Sequence, residues 1–328
     1  METMNPRAQV SLKNFLPQTG KEILQQEILE GLGGKQKRLN SKFFYDARGS
    51  ELFEKITALP EYYPTRTEKS IIHKVAPQVM NRLNGHAIIE LGSGDCSKIS
   101  LLLKGRDGGV YDGVHYLPVD FSPAALEKAA GILTTNFDGL NISAIAADFT
   151  SQLHLIPRNG SALICFFGST LGNLEQADAS GMLEKISSFM GKGDFLLLGL
   201  DMVKPVNILL DAYNDSQGVT AAFNKNILRV VNAIAGLDFD ESRFVHRAIY
   251  NAEKQRIEMH LVAGENMEVR SDLTDEPVRF TKGETIHTEN SHKYSPAGIR
   301  RLAAEAGLQI RKVHHDPQKW FALVEMAK

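Results

Sequence analysis

The stretch His86-Ala-Ile-Ile-Glu-Leu-Gly-Ser-Gly-Asp-Cys-Ser-Lys98 decides the fold of this chain. An apolar run carries an acidic residue, Glu90, and then breaks into a two-glycine turn. A buried parallel strand that ends this way brings backbone close to a nucleoside at the carboxyl edge of an open sheet. Downstream the pattern recurs. Strand-like runs at 115–119, 142–146, 162–167 and 194–200 alternate with helical spacing at 98–103, 123–133 and 178–190. Ser122 and Pro123 suit the cap and first turn of their helix. Such alternation predicts a parallel sheet with helices on both faces.

After Asp201 the alternation stops. Residues 208–226 and 227–237 read as helical stretches, and 244–250, 256–262 and 267–270 as antiparallel strands. It resumes with a helix capped by Ser295-Pro296, followed by two strands at 308–314 and 320–327. Upstream, helical spacing marks 21–34, 46–56 and 68–83. Between them, 59–64 reads as a stiff turn, because its prolines oppose helix on either side. The expected organisation is an α/β sheet domain, 62–202 with 293–328, interrupted by an α+β domain of 203–292 that packs with 1–61.

Composition narrows the function classes. The 328 residues are 43% hydrophobic and 23% charged, enough for a sizeable core and too apolar for wholesale disorder. A net charge of −2 offers no basic excess for a phosphate backbone, so nucleic acid is a poor partner. No apolar run approaches the ~20 residues a membrane helix needs, and the N-terminus lacks the basic-then-apolar order of a secretory signal. Cys96 and Cys165 sit in or beside apolar strands, which favours small buried hydrophobes over a disulfide or metal pair and points to a reducing cytoplasm. His314-His315 and the pair His287/His292 lack a cysteine or carboxylate constellation at suitable spacing, so no metal site is expected. Ser169 is not in a nucleophile elbow.

The strand ends choose between cofactors. A dinucleotide turn wants a third glycine where this chain has Ser97, after Gly92-Ser93-Gly94. Asp120 ends the next strand, where a ribose diol binds. Asp148 follows the third, beside the stacking ring of Phe149. Each aspartate alone is more often a solvated strand end or helix cap. Together with Glu90 they discourage a pyrophosphate, which prefers helix N-termini free of nearby anions. A cofactor with ribose, adenine and a cation but no phosphate fits better, namely S-adenosylmethionine, with S-adenosylhomocysteine as its product. The closing reversed strand agrees with a class I, Rossmann-like methyltransferase sheet.

Six motifs then converge: Phe44-Tyr-Asp-Ala-Arg-Gly-Ser-Glu-Leu-Phe53, Pro60-Glu-Tyr-Tyr-Pro-Thr-Arg66, Glu90-Leu-Gly-Ser-Gly94, Gly168-Ser-Thr-Leu-Gly-Asn173, Ile257-Glu-Met-His260 and His287-Thr-Glu-Asn-Ser291. From about Lys42 onward the chain resembles the histidine-specific methyltransferase family. The resemblance implies a methyltransferase sheet with an inserted substrate domain. It also implies methylation of the α-amine of L-histidine three times, to hercynine, in ergothioneine biosynthesis. The cofactor set is then Tyr45, Glu90, Gly92, Ser93, Gly94, Lys98, Asp120, Asp148 and Phe149, and Gly168 joins the substrate set. Such an enzyme is expected to be a monomer acting on a small amino acid.

Alone, Asn173 is as good a helix cap as a ligand for an amino acid head group. The resemblance makes it a ligand of the substrate carboxylate beside Tyr213, which on its own reads as half-buried packing. Tyr63, otherwise a packed aromatic, would line the amine, and Tyr63 and Asn173 are the two residues placed nearest the chemistry. Met259, otherwise core, would lie against the imidazole. Glu289 and Ser291, two apart, point to one side of an extended segment. A carboxylate accepts from an imidazole N–H and a hydroxyl serves the other nitrogen, although a solvated hairpin is the bland alternative. The rival functions are the same fold acting on another amino acid or a tryptophan derivative, an NAD-dependent oxidoreductase, and a catalytically silent binding protein.

Overall fold

The computed structural model describes residues 9–16, 20–83, 85, 87–109 and 111–328. In chain order the elements begin with β1 (Val10–Asn14), α1 (Lys21–Gly33), β2 (Lys37–Arg38), α2 (Ala47–Ala58) and α3 (Tyr63–Met80). Next come β3 (Ala87–Leu91), α4 (Ser97–Leu103), β4 (His115–Asp120), α5 (Pro123–Asn136), β5 (Asn141–Ala146) and α6 (Phe149–Gln152). They continue with β6 (Ala162–Phe166), α7 (Gln176–Phe189), β7 (Phe195–Asp201), α8 (Val206–Tyr213) and α9 (Val219–Ala235). The last are β8 (Phe244–Asn251), β9 (Arg256–Ala263), β10 (Met267–Ser271), β11 (Thr274–Phe280), β12 (Thr285–His292), α10 (Pro296–Glu305), β13 (Gln309–His315) and β14 (Phe321–Ala327). The chain divides into two compact units.

The first unit carries 67–202, 294–328 and the described residues up to 16. Its eight-stranded sheet has the order β1-β5-β4-β3-β6-β7-β14-β13. Strands β1 to β7 in that list run parallel, and β14 enters antiparallel between β7 and β13. From β5 onward this is the class I methyltransferase order, and the chain's closing strand β14 is the reversed one, as expected. Alternation along the strands builds two cores. Ile89, Leu117, Ile164 and Leu198 face one side of the sheet, and Ile88, Tyr116, Leu163 and Leu197 the other. The strand order reverses beside β3, with β4 on one side and β6 on the other, so the loops after β3 and β6 flank the switch point where ligands bind in such sheets.

The second unit carries residues 20–66 and 203–293. Its four-stranded sheet runs β2-β12-β9-β8, accompanied by the β10–β11 hairpin. The helix α9 packs on α1, α2 and this sheet, and the Phe44 and Phe223 rings stack at 4.6 Å.

Four expectations are corrected. Residues 10–14 do not go with the inserted domain: β1 pairs in parallel with β5, Val10 opposite Ile142. The five strand residues are all exposed, and the alternation Val10-Ser11-Leu12-Lys13 is too short to separate a strand from a loop. The chain is already helical at Tyr63 rather than turning through 59–64, because Pro64 occupies the first helical turn, where its missing N–H costs nothing. The break between the helices of the insert falls at 214–218, not at 226. Asp215 accepts from the Val219 and Thr220 amides at 2.9 and 2.7 Å, and Gly218 takes φ +72°. Finally, β2 and β11 are strands that the sequence pattern does not separate from loop.

Candidate active site

In the first unit the turn after β3 is shaped by Gly92 and Gly94, with φ of +70° and +53°, a region that disfavours side chains. A Cβ on Gly92 would touch the Phe149 ring at 3.7 Å, while the space above Gly94 is open. Asp120, at the end of β4, reaches back with Oδ2 to accept from the Gly94 amide at 3.0 Å, and Oδ1 accepts from Ser122 N. Burial pushes its carboxyl up, against the pull of those amides. Ser93 is buried, and its Oγ has no hydrogen-bond partner among the described residues. An orphaned hydroxyl in a glycine cradle is what a nucleoside-bearing ligand would satisfy, so the loop fits S-adenosylmethionine.

Glu90 faces the core side of β3, where Tyr116 donates to its Oε2. Burial raises its carboxyl to about 8, opposed by Tyr116 and by the charge of Lys98. Asp148 caps α6: its Oδ1 accepts from Thr150 N at 2.9 Å and its Oδ2 from Ser151 Oγ at 3.0 Å. Phe149 lies edge-on to Phe166 at 5.6 Å. Both cap and ligand remain compatible with Asp148.

The loop after β6 is fixed by a residue the sequence pattern does not single out. Glu68, buried in α3, accepts from the Gly168 amide with both oxygens, at 2.8 and 2.9 Å, and pairs with Lys98 Nζ at 3.0 Å. Gly168 has φ +80°, and a Cβ there would stand 2.9 Å from Lys98 Nζ. So Lys98 and Gly168, assigned separately, meet through Glu68. Ser169 is left-handed at φ 55° and accepts from Asp201 N, which ties this loop to β7. Asn173 closes the short 3-10 turn Thr170–Asn173 and is half-buried.

In the second unit, β12 sets Glu289 opposite Met259 and Ser291 opposite Ile257, with a register shift between His287 and Glu289. Paired residues share a face, so Glu289, Ser291 and Met259 lie together. Glu289 is half-buried, and desolvation pushes its carboxyl up to about 7 against the opposing charge of Lys293. Tyr213, the last residue of α8, has its Oη 2.6 Å from Ser291 Oγ. Tyr63 is buried, and its Oη accepts from the buried Lys204 Nζ at 2.8 Å. Tyr45 belongs to this unit and is exposed, its ring edge-on to Phe53 and Phe223.

Glu68, Lys204 and Lys293 are therefore the polar neighbours that sequence reasoning missed. Only Lys293 had a signal: it continues the period-two series of Glu289 and Ser291. His287, set aside as a metal ligand for want of a carboxylate, lies with Glu258 and His260, their ligand atoms within 4.8 Å of one another. The carboxylate is supplied by β9 across the pair, a proximity that linear spacing does not reveal. Arg256 Nε donates to Glu258 at 2.7 Å, and this guanidinium competes with any cation for the carboxylate.

Comparison with known proteins places the chain in a family. A family model described as "Histidine-specific methyltransferase, SAM-dependent" matches residues 24–328. The chain is 39% identical to a histidine N-alpha-methyltransferase of Mycolicibacterium smegmatis over 96% of its own length and 98% of that protein. A protein of the same name from Mycobacterium tuberculosis is also 39% identical, over 97% of this chain and 99% of its own length. An ergothioneine biosynthesis protein 1 of Schizosaccharomyces pombe is 31% identical over 67% of this chain, which matches 30% of that longer protein.

Proposed function

This chain belongs to the histidine-specific, S-adenosylmethionine-dependent methyltransferase family, and from that premise we propose that it methylates the α-amine of L-histidine three times, yielding hercynine for ergothioneine biosynthesis. The observation that carries the substrate is the pair on one face of β12 formed by half-buried Glu289 and buried Ser291. Such a pair leaves its own polar groups unmatched beside any side chain that lacks complementary nitrogens, and that penalty rejects analogues strongly.

Glu90, Gly92, Ser93, Gly94, Asp120, Asp148, Phe149 and Lys98 would hold the cofactor, with Tyr45 added by family resemblance. When bound, the cofactor supplies an electrophilic methyl group on a sulfonium, a leaving group that needs no protonation. The chain's own tasks are therefore orientation and proton removal. Orientation of nucleophile and electrophile can contribute ~7–11 kcal/mol. Asn173 is assigned to the substrate carboxylate, Met259 to the imidazole and Gly168 to the substrate's edge of the loop. Tyr213, which resemblance also gives to the carboxylate, is assigned instead to holding Ser291, to which its hydroxyl is bonded at 2.6 Å. Tyr63 is assigned to the amine. The Lys204 ammonium donating to its oxygen stabilises negative charge there, which suits Tyr63 to relay the amine proton. The two cysteines are free and buried, which supports a reducing, cytoplasmic setting, and the reading is of a monomer.

Incubation with S-adenosylmethionine and a panel of amino acids, followed by mass spectrometry, tests the assignment. Mono-, di- and trimethylhistidine appearing in succession are expected. Turnover of tryptophan or its derivatives with histidine untouched overturns it.

A further inference from the structure

Lys293 lies one residue beyond β12 and is buried. Its Nζ donates to Ser291 Oγ at 2.7 Å and to Tyr213 Oη at 3.1 Å, and it stands 4.7 Å from the Tyr213 ring centroid. An ammonium has only donors, so both hydroxyl oxygens accept from it. The two hydroxyls also bond to each other at 2.6 Å. A phenol, with a pKa near ~10, is a far stronger acid than an aliphatic alcohol, so Tyr213 donates and Ser291 accepts. A serine oxygen has two lone pairs. Lys293 takes one and Tyr213 the other, which leaves Ser291 its own hydrogen to offer. Two residues upstream on the same face stands Glu289, whose ionised form accepts only. The charge of Lys293 favours that ionised form against burial.

We propose that Lys293 is a positioning residue that sets the polarity of the imidazole subsite. By filling the acceptor capacity of Ser291 it makes the serine a donor only. The subsite then takes a neutral imidazole, with its N–H toward Glu289 and its bare nitrogen toward Ser291, and rejects the imidazolium. This rests on the histidine reading given above.

A double-mutant cycle tests it, with L-histidine kinetics and with cofactor affinity measured by calorimetry. Lys293→Met is expected to raise KM for histidine about 30- to 100-fold, while kcat stays within about threefold and cofactor affinity within about twofold. In a Ser291→Ala background the same substitution is expected to add less than about threefold, since its route through the serine is gone. Lys293→Gln, which keeps a donor without the charge, recovers part of the loss and carries the cycle if the methionine variant does not fold. A further readout is discrimination against a pyrrolylalanine that keeps one ring N–H and lacks the bare nitrogen. Lys293→Met should shrink that discrimination about tenfold, because the freed serine can reorient its hydrogen. Additive effects, or equal losses in KM and cofactor affinity, overturn the proposal. If the unaltered enzyme does not methylate histidine, the histidine reading fails and this one falls with it. Histidine turnover with an additive cycle sinks this one alone.

Discussion

The two units hold their functional groups by different means. In the sheet unit the main chain does the placing. Strand ends and left-handed glycines set the loops, and carboxylates of Asp120 and Glu68 are fastened by the amides of Gly94 and Gly168. In the second unit side chains hold one another: Lys293 with Ser291 and Tyr213, and Lys204 with Tyr63. The lesson is about what each unit can vary. On the proposed assignment, the site made from backbone geometry would recognise the constant partner, the cofactor, and tolerate side-chain changes. The side-chain network would recognise the variable partner and be retuned by one or two substitutions.

The sharpest way to break this comparison is a reciprocal pair of variants. Glu289→Ala is expected to lower kcat/KM for histidine on the order of 10²–10³-fold, because a ring N–H loses a charged acceptor in a desolvated place. Cofactor affinity should stay within about twofold. Asp120→Ala should do the reverse, weakening S-adenosylmethionine binding on the order of 10- to 30-fold with little change in histidine KM, a loss typical of one charge-assisted hydrogen bond. Calorimetry for the cofactor and steady-state kinetics for histidine decide it. Parallel losses of both affinities in either variant would erase the division of labour.

A smaller effect appears in the pH dependence of the ligand-free protein. Glu90 and Glu289 have folded-state values of about 8 and about 7, raised by burial from 4.5. Between the unfolded and folded values the folded chain binds more protons than the unfolded one. The stabilisation from each neutral carboxyl is therefore complete below about pH 4.5 and is lost as pH rises through 7 and 8. Each group contributes a slope of at most about 1.4 kcal/mol per pH unit. In denaturant melts from pH 5 to 8, read as differences from the unaltered protein, Glu289→Gln should remove the loss in the lower part of the window and Glu90→Gln that in the upper. The difference is needed because His115, His246, His260 and His287, lowered by desolvation, act with the opposite sign. Histidine kcat/KM should move oppositely, rising through pH 7 as Glu289 ionises. Variant-minus-unaltered differences that stay flat over the same range would contradict the burial of both groups.

The same contrast governs what could be read from the sequence. Strands β3 to β7, their crossover helices and the reversed β14 were legible because period and punctuation are local properties: Ile88 and Ile89 face opposite cores, and Ser122-Pro123 announces a helix. The cofactor turn followed from the same signals. The second unit offered no such rule. Nothing local says that Tyr213 meets Ser291, 78 residues away, or that Lys204 meets Tyr63, 141 residues away. The separate roles of Tyr213, Ser291 and Tyr63 came through resemblance to a family, and resemblance passed over their mutual contacts and over Lys293 and Lys204 entirely. Glu68 was hidden for a related reason: in a helical run it reads as one more charged face, and only the close approach of the Gly168 amides of another element reveals it as buried. β1 was lost because the apolar alternation of this exposed edge strand is too short to tell from a loop.

The least expected loss belongs to Asp148, where cap and ligand readings compete inside the sheet unit. Its Oδ1 is committed to the Thr150 amide, and among the described residues Oδ2 accepts from the exposed Ser151 hydroxyl alone. A cap uses one oxygen, and asparagine provides that oxygen as well as aspartate does. An adenine amino group needs the other, and there the asparagine amide presents donors in place of an acceptor. Asp148→Asn should therefore leave stability within about 0.5 kcal/mol while weakening S-adenosylmethionine about tenfold, the scale of one hydrogen bond. Asp148→Ala should cost about 1 kcal/mol of stability in addition. If the asparagine variant binds cofactor like the unaltered enzyme, Asp148 is a cap alone, and adenine recognition passes to the main chain and the Phe149 ring. The sheet unit would then depend on backbone even more heavily than the comparison with the second unit supposes.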